Sequence, residues 1–590
     1  MSLEPTNQLP PVVGRKDKFT PELRILVASL LSMVVILLWA KYFGPKPPTN
    51  PNNPNQPAQS APAIPGSAAN ANAPNSATTP STVSAASVPA VAVTADTQER
   101  TVVVENGLYR VEFSNRGAVV KSWQLKKYKD DSKPPQVLDV VHPQASTDTG
   151  GWPLALVFDD PQLGNLANSG LYKVSGDSNS LQAPADLTFT WSDGHLQVTK
   201  KFHFDHSYSV DVETSVTNDG HPVFAGLAWL GGFGDLTVTN PIPVETEYVF
   251  YSENGKLTTL PHKKLKNAEE FGNIWQGGKS WTGIEDRYFT AVFLPSLKEP
   301  SPLQVRYWKA WRTVKVDGKD QSEPVPEVAT TMALTPMKMR VFVGPKDYDL
   351  LKKMSPPLHA LVNFGMLEII ADPLFHGLKW LHEYIPNWGW SIVVLTLLIN
   401  MVLFPLRISS YKTTMKMQRV APEIKQIQDR YKKYKMNDPR KAEMNKEVMA
   451  VYSREGINPV GGCIPQLLQM PIWFGLYRAL QGTIELRHAP WFGWITDLSA
   501  KDPFYILPVL MGLSMYFSSK MTPMTTTDPQ QAQMMKIMPI AMSGIFLIIP
   551  YPSGLAVYIL TSGLVGVVQQ WYLNRTHPLP APTKPTRAKK

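Results

Sequence analysis

The chain has 590 residues, enough for several domains, and its mean hydropathy of −0.16 averages over a polar half and an apolar half. The formal net charge is +10, and the cations concentrate in segments that the spans below place on one side of a membrane, so no nucleic acid substrate is predicted. The single cysteine, Cys463, excludes an internal disulfide and leaves the redox compartment open.

The first apolar run, residues 25–43, is predicted to be a transmembrane anchor. It is about 19 residues long, close to the roughly 20 that cross a bilayer as a helix. Residues 1–24 carry cations such as Arg15 and Lys18, so this N-terminus is predicted to be cytoplasmic. The alternative is a cleaved signal peptide, but "LLWAKYFG" has no clear small-x-small cleavage site, which favours an uncleaved anchor.

Residues 44–98 and 99–350 differ in composition. The first segment is rich in Pro, Ala, Ser and Asn and lacks large apolar side chains, which predicts a disordered linker. In the second, "TVVVENGLYRVEFSN" and "HLQVTKKFHFDHSYSVDVETSVTN" alternate apolar and polar residues, and turn sequences such as "NDG" separate such stretches. We therefore expect an all-β sandwich, and its place after the anchor predicts that it lies outside the cytoplasm.

Three histidines of this β region, His195, His203 and His206, raise the question of a metal site or a catalytic base. No second cluster of ligands accompanies them, and a histidine on the polar face of a strand is usually solvated. No enzyme activity, metal or cofactor is therefore predicted.

Residues 351–388 mix apolar and polar side chains without a long apolar run, and tryptophans such as Trp380 and Trp388 suit the membrane–water boundary. The segment is predicted to be an amphipathic helix lying in the interface. A helix packed on the β domain is the alternative.

Residues 389–575 are predicted to hold five further transmembrane helices, six with the anchor. The apolar runs are 391–406 ("SIVVLTLLINMVLFPL"), 461–480, 503–519, 534–550 and 554–571. Between 407 and 455 there are 13 Lys/Arg and 6 Asp/Glu, and the tail 576–590 is basic. The positive-inside rule then places both termini in the cytoplasm, which an even number of spans also requires.

Residues 408–457 are predicted to form a cytoplasmic helical hairpin. Met417, Val420, Ile424 and Ile427 follow a heptad spacing, "KMNDPR" supplies a turn, and the apolar spacing resumes at Met444. The net positive charge is equally compatible with two interpretations. The hairpin is either solvated and paired only with itself, or it is a docking arm for ribosome, targeting factors or anionic lipid. The predicted docking residues are Lys425, Arg430, Lys432, Lys433, Lys435 and Arg440.

Polar side chains recur inside three of the predicted spans. Thr396 and Asn400 share one helix face, and amides, hydroxyls and aromatic rings recur at helical spacing in the spans near 469 and 558. Interhelical hydrogen bonding explains any single one of them, but three coinciding stripes favour a hydrated groove. The predicted groove residues are Thr396, Asn400, Gln469, Trp473, Tyr558 and Ser562.

The stretches "NPVGGCIPQLLQMPIWFGLY" (458–477), "ELRHAPWFGWITDLSAKDPFYILP" (485–508) and "YPSGLAVYILTSG" (551–563) resemble the YidC family of membrane protein insertases. With the β region after the first span, the whole chain resembles the Gram-negative form. The resemblance implies a bacterial inner-membrane protein with a periplasmic β-super-sandwich related to sugar mutarotases. It also implies a hydrophilic groove that opens to cytoplasm and lipid but not outward, and nascent clients with one or two spans, handled alone or beside the Sec translocon.

The sequence departs from this family at Asn400, where relatives usually have Arg or Lys, a charge thought to keep the groove wet and to attract acidic client segments. Ile559 stands where another groove tyrosine is expected, and Gly563 where Asn is common. A less polar groove is therefore expected.

The function predicted is an insertase that passes the polar flanks of short clients through the groove and releases their spans into lipid. Two alternatives stay open: a small-molecule or lipid transporter and a membrane-anchored carbohydrate-binding protein. The first predicts repeats between groups of spans, and none is visible in the sequence.

Overall fold

The computed structural model describes residues 92–237, 247–267, 274–316, 319–332, 336–362, 364, 368–434, 438–458, 464–522, 529–548 and 551–577. The predicted cytoplasmic N-terminus, the anchor, most of the linker and nearly all of the basic tail lie outside these residues. The described part comprises a β-rich domain followed by a helical region.

Within the described residues, three sheets form the β domain. The first contains β1 (Thr101–Glu105), β2 (Tyr109–Ser114), β3 (Val119–Lys129), β4 (Val137–Asp139) and β7 (Ser180–Gln182) in the order β4-β3-β2-β1-β7. The second contains β6 (Lys173–Val174), β8 (Ala185–Ser192), β9 (Leu196–Phe204), β10 (Ser209–Asn218), β11 (His221–Pro222), β13 (Tyr248–Glu253), β14 (Lys256–Pro261), β16 (Trp281–Glu285), β17 (Phe289–Pro295) and β20 (Met337–Pro345). The third contains β5 (Ala155–Phe158), β12 (Ala225–Trp229), β15 (Gln276–Lys279), β18 (Leu303–Val316) and β19 (Lys319–Thr331).

The second sheet runs in the order β14-β13-β16-β17-β20-β10-β9-β8-β6, with β11 beside β10, and the third in the order β15-β18-β19-β12-β5. Side chains from all three sheets share one buried apolar core, because alternate residues of each strand point inward. Asp219 and Gly220 of the predicted "NDG" turn both have positive φ, at 50° and 76°, as a tight reversal after β10 requires.

Strand β9 shows the predicted period of two with one exception in residue type. Leu196, Val198, Phe202 and Phe204 are buried, and so is Lys200 at the inward position between them. Its Nζ donates to the carbonyl oxygens of Gly117 (2.9 Å), Ala118 (3.1 Å) and Leu154 (2.8 Å). Three acceptors match the three donors of an ammonium group, so this lysine ties β9 to two neighbouring segments.

Ten α-helices are described: α1 (Pro143–Thr149), α2 (Pro161–Ser169), α3 (Tyr348–Lys352), α4 (Glu368–Tyr384), α5 (Trp388–Arg430), α6 (Arg440–Arg454), α7 (Ile464–Gly482), α8 (Ile506–Met521), α9 (Pro529–Ile548) and α10 (Ser553–Thr576). By length and composition, α5 and α10 are the two of these helices that qualify as membrane spans. The predicted spans 461–480, 503–519 and 534–550 overlap with α7, α8 and α9, which are shorter than α5 and α10.

Helix α5 combines the second predicted span with the first arm of the hairpin. Its 43 residues correspond to about 64 Å, roughly twice the hydrocarbon thickness of a bilayer. The arm beyond the span pairs with α6 through a separate apolar cluster that includes Val420, Ile424, Ile427 and Val451. The heptad spacing in the sequence predicts these inward positions.

Helix α4 is shorter than the predicted helix over 351–388, which is a correction to that boundary. Pro356 and Pro357 lack the amide hydrogen that a helix interior needs, and Pro386 follows its C-terminus. Along α4, Ala371 and Phe375 belong to the core of the β domain, whereas Leu378 and Leu381 belong to that of the helical bundle. The helix therefore joins both cores.

Candidate functional site

Polar side chains line one face of α5 and one face of α10 where these two helices pack. Thr396, Asn400 and Arg407 lie on α5, and Tyr558, Ser562 and Gln569 on α10. Intervals of four, seven and eleven residues keep each set on one side of its helix. Apolar residues occupy most of the remaining surface of the helical bundle. We name this polar contact between α5 and α10 the seam.

Asn400 lies near the middle of the seam and is 5% exposed. Its Nδ2 donates to the carbonyl oxygen of Thr396 at 2.8 Å and to the hydroxyl of Ser562 at 3.4 Å. The backbone carbonyl oxygen of Asn400 in turn accepts from the side-chain amide of Gln569 at 3.3 Å. The two donors of its side-chain amide are thus paired, which offsets part of the cost of a polar group within hydrocarbon.

Helix α7 contributes Gln469, whose Nε2 donates to the hydroxyl of Tyr558 at 2.6 Å. Tyr558 and Ser562 are one turn apart on α10, so this pair and the Asn400–Ser562 pair lie on the same helix face. Three helices therefore bring amides and hydroxyls to one place, as the coinciding sequence stripes predict.

Two predicted groove residues, Thr396 and Trp473, do not form side-chain hydrogen bonds between these helices in the described residues. The hydroxyl of Thr396 is fully buried and donates to the carbonyl of Ile392 on its own helix at 2.6 Å. Trp473 stacks on Tyr477 with the ring centroids 6.3 Å apart and packs against the apolar core of the bundle. Tyr558 is also buried, whereas Gln469 and Ser562 are partly exposed.

Arg407 and Gln569, which the sequence analysis does not identify as site residues, complete the seam. Arg407 donates from Nη1 to the side-chain Oε1 of Gln569 at 2.9 Å, and its Nη2 lies 3.5 Å from the backbone oxygen of Gly566. A Cβ on Gly566 would lie only 3.1 Å from that nitrogen, so glycine leaves room for the guanidinium. In the sequence Arg407 is one of the cations that flank the span, and its seven-residue offset from Asn400 is the signal that places it on the same face.

The predicted docking residues of the hairpin divide into paired and solvated groups. Arg430 pairs with Glu447 at 2.6 Å and Arg440 with Asp438 at 3.0 Å. Lys425, Lys432 and Lys433 are exposed, and Lys435 lies outside the described residues. The exposed lysines give this arm a cationic surface at some distance from the seam.

Comparison with family models gives two matches, and they follow the division into β domain and helical region. Residues 101–377 match the model described as YidC periplasmic domain. Residues 380–580 match the model described as 60Kd inner membrane protein.

Curated relatives extend this likeness over most of the chain. The membrane protein insertase YidC of Geobacter sp. (strain M21) is 34% identical over 493 residues, which cover 81% of this chain and 86% of the relative. The chain belongs to the YidC family. The YidC of Wolinella succinogenes is 32% identical over 82% of this chain and 84% of its own, and that of Paraburkholderia xenovorans 31% over 82% and 85%.

Solved structures similar to the chain include an active YidC insertase with its first transmembrane domain resolved. It is 17% identical, with 82% of this chain and 96% of that chain covered and a TM-score of 0.33. A putative aldose 1-epimerase from Escherichia coli K12 matches 42% of this chain and 100% of its own, at 11% identity and a TM-score of 0.26. The membership of the YidC family rests on the curated relatives and not on these scores.

Proposed function

We propose that this chain is a membrane protein insertase that gives the polar flank of a nascent client a path across the apolar part of the bilayer. The observation that carries the proposal is the junction of Asn400 with Ser562 and of Gln469 with Tyr558 inside an apolar bundle. No covalent chemistry, metal or cofactor is needed, because the barrier is one of solvation.

Crossing hydrocarbon costs a charged residue about 2.5–3.5 kcal/mol on insertion scales. Side-chain hydrogen bonds between membrane helices contribute only about 0.6 kcal/mol on average, so the two pairs of the seam open at low cost. Once open, their amides and hydroxyls solvate the client flank together with entering water. The client's own span then leaves sideways into lipid, and burial of its apolar surface drives that release.

In this proposal Arg407 supplies the positive charge that Asn400 lacks. It lies seven residues further along α5, about 10 Å along the helix axis, and its hydrogen-bond partners, the Gln569 side chain and the Gly566 carbonyl, are uncharged. A guanidinium held by neutral partners keeps its attraction for a carboxylate. Acidic client flanks would therefore be drawn to the inner end of the seam.

The proposed topology has six spans in a bacterial inner membrane, with both termini and the hairpin 408–457 cytoplasmic. Residues 25–43 anchor the chain, 44–98 act as linker, 99–350 form a periplasmic β-super-sandwich, α4 lies in the interface and 389–575 form the insertase core. The distribution of Lys and Arg supports this arrangement.

Nascent membrane proteins are the proposed clients. The exposed lysines of the hairpin and the basic tail fit the anionic surface of a ribosome or its targeting factors, and of the bilayer itself. Cooperation with Sec translocon components is proposed on the family likeness alone.

Site-specific crosslinking of a stalled single-span client tests the groove. A photoreactive side chain at Asn400, Thr396, Gln469 or Tyr558 is expected to capture the client, whereas Leu398, 43% exposed on another face of α5, serves as the lipid-facing control. Capture at Leu398 alone would refute the assignment of the seam as the client path.

A further inference from the structure

Residues 483–502, between α7 and α8, form a loop that covers one end of the helical bundle; we name it the cap loop. Its backbone binds the start of α10, since the amides of Ser553 and Gly554 donate to the carbonyls of Ala500 (2.7 Å) and Leu498 (2.8 Å). Its Asp502 accepts from the amide of Leu507 at 2.6 Å, which caps α8. The loop thus fixes the ends of two helices.

The start of α5 is held by the same loop. The Asn387 amide nitrogen donates to the carbonyl of Trp491 at 3.2 Å. A Cβ on Gly389 would lie 2.1 Å from the Trp491 ring, so this glycine permits the indole to lie directly on the helix. The cap loop therefore contacts the starts of both α5 and α10. These are the two helices whose polar faces form the seam.

The opposite side of the cap loop is bound to the β domain through Arg487. Its guanidinium forms an ion pair with Asp235 and lies 3.7 Å from Asp131, and the side chains of Arg487 and Asp235 are 4% and 1% exposed. The guanidinium also lies over the rings of Tyr288 and Phe289, with centroid distances of 5.7 and 5.4 Å. This contact is a buried ion pair between two parts of the fold.

Two further contacts reinforce the junction. The Nε2 of His488 lies 2.7 Å from a carboxylate oxygen of Asp131. Arg287 of the β domain donates from Nε to the backbone carbonyl of Gln481, near the end of α7, with a distance of 2.9 Å. Removing one partner of a buried ion pair leaves a charge without compensation, so such a pair holds its two segments together far more firmly than an exposed one.

We propose that Arg487 is a positioning residue through which the β domain holds the cap loop in place, so that the seam between α5 and α10 opens at its other end only. We name this contact between the β domain and the cap loop the latch. The inference rests on the proposed function only where insertion is the readout.

Hydrogen exchange of the full-length protein in lipid nanodiscs tests the latch. Arg487→Gln is expected to raise exchange of amides in 483–502 by about tenfold or more, with the amides of β9 and β10 unchanged. Arg487→Lys is expected to restore most of the protection. Arg312→Gln is the matched control, because it breaks an ion pair with Glu323 (2.6 Å) inside the β domain, whose Arg side chain is 14% exposed.

Equal cap-loop exchange in Arg487→Gln and Arg312→Gln would overturn the proposal. If Arg487→Gln fails to fold, Asp235→Asn removes the same pair from the other side, and the same comparison decides. Client insertion is measured in parallel: faster cap-loop exchange with no insertion by any form, including the unmodified chain, supports the latch and counts against the insertase.

Discussion

At the scale of single residues, the seam shows how a membrane helix carries an amide at low cost. The side-chain nitrogen of Asn400 donates to a backbone carbonyl of its own helix and to Ser562, and the residue is only 5% exposed. The charge of the seam lies at Arg407, where partners from α10 hold it. Selectivity among clients should therefore depend on Arg407 more than on Asn400.

Arg407→Gln is expected to reduce insertion of a client with an acidic flank and to leave a neutral-flanked client unaffected. A hydrogen bond to a charged group contributes about 1.5 kcal/mol or more, which corresponds to roughly a tenfold loss. Insertion into proteoliposomes measures it, with Arg575→Gln near the end of α10 as control. Equal losses for both clients would show that Arg407 supports the fold and not client charge.

A second residue-scale prediction concerns pH. Burial lowers the pKa of His142 to about 4, and its neutral ring contacts the Gly234 carbonyl at 2.9 Å. Between pH 6.5 and 4 the unfolded chain binds a proton that the folded chain does not, so the free energy of unfolding falls as the pH falls through this window.

Denaturant unfolding of the full chain, monitored at β-domain tryptophans, is expected to lose about 3 kcal/mol between pH 7 and 4 through His142. In His142→Gln, which retains a donor, that part of the pH dependence should disappear. An unchanged pH profile in the variant would assign the acid sensitivity to other groups.

The sequence predicts residue types at the site but not their partners. Spacing alone places Thr396 and Asn400 on one face, because helical periodicity is local. The pairing of Arg407 with Gln569 depends on how two helices 162 residues apart in sequence pack, and no local pattern encodes it. The partners of Lys200 are not predictable from the sequence either. The alternation of apolar and polar residues predicts that its side chain points inward, but not that its ammonium group donates to three carbonyl oxygens there.

At the scale of elements, the hairpin of α5 and α6 follows its sequence closely because both of its arms and their apolar spacing are local. The order of the strands does not follow the sequence in this way, since β1 pairs in parallel with β7, nearly 80 residues later.

Ile427→Asp is expected to separate α6 from α5, because a carboxylate would enter the apolar cluster without a partner.

The cost of Ile427→Asp should reach about 3 kcal/mol or more, enough to open the hairpin locally. Limited proteolysis of the membrane-embedded chain would then cut within 408–457 sooner, whereas exposed Lys425→Asp provides the matched control. Equal cleavage rates for the two variants would mean that the arms are held by something other than this cluster.

At the scale of the whole molecule, the β domain and the helical bundle meet through α4 as well as through the cap loop. The buried side of α4 changes its partners along its length, with Phe375 in the core of the β domain and Leu378 in that of the bundle. Two buried cores that share one helix are expected to unfold together, because neither can lose α4 without exposing apolar surface.

Phe375→Ala is expected to uncouple them. Truncating a buried phenylalanine costs about 3–5 kcal/mol, and this cost falls on the β-domain side of the shared helix. In calorimetry of the full chain in nanodiscs, one transition should become two, with the β domain melting first. Ile369→Ala is the control on the same helix, because that side chain is 85% exposed. A single transition in Phe375→Ala, shifted no further than in Ile369→Ala, would mean that α4 does not couple the domains, and that the contacts of Arg487 and Arg287 alone join them.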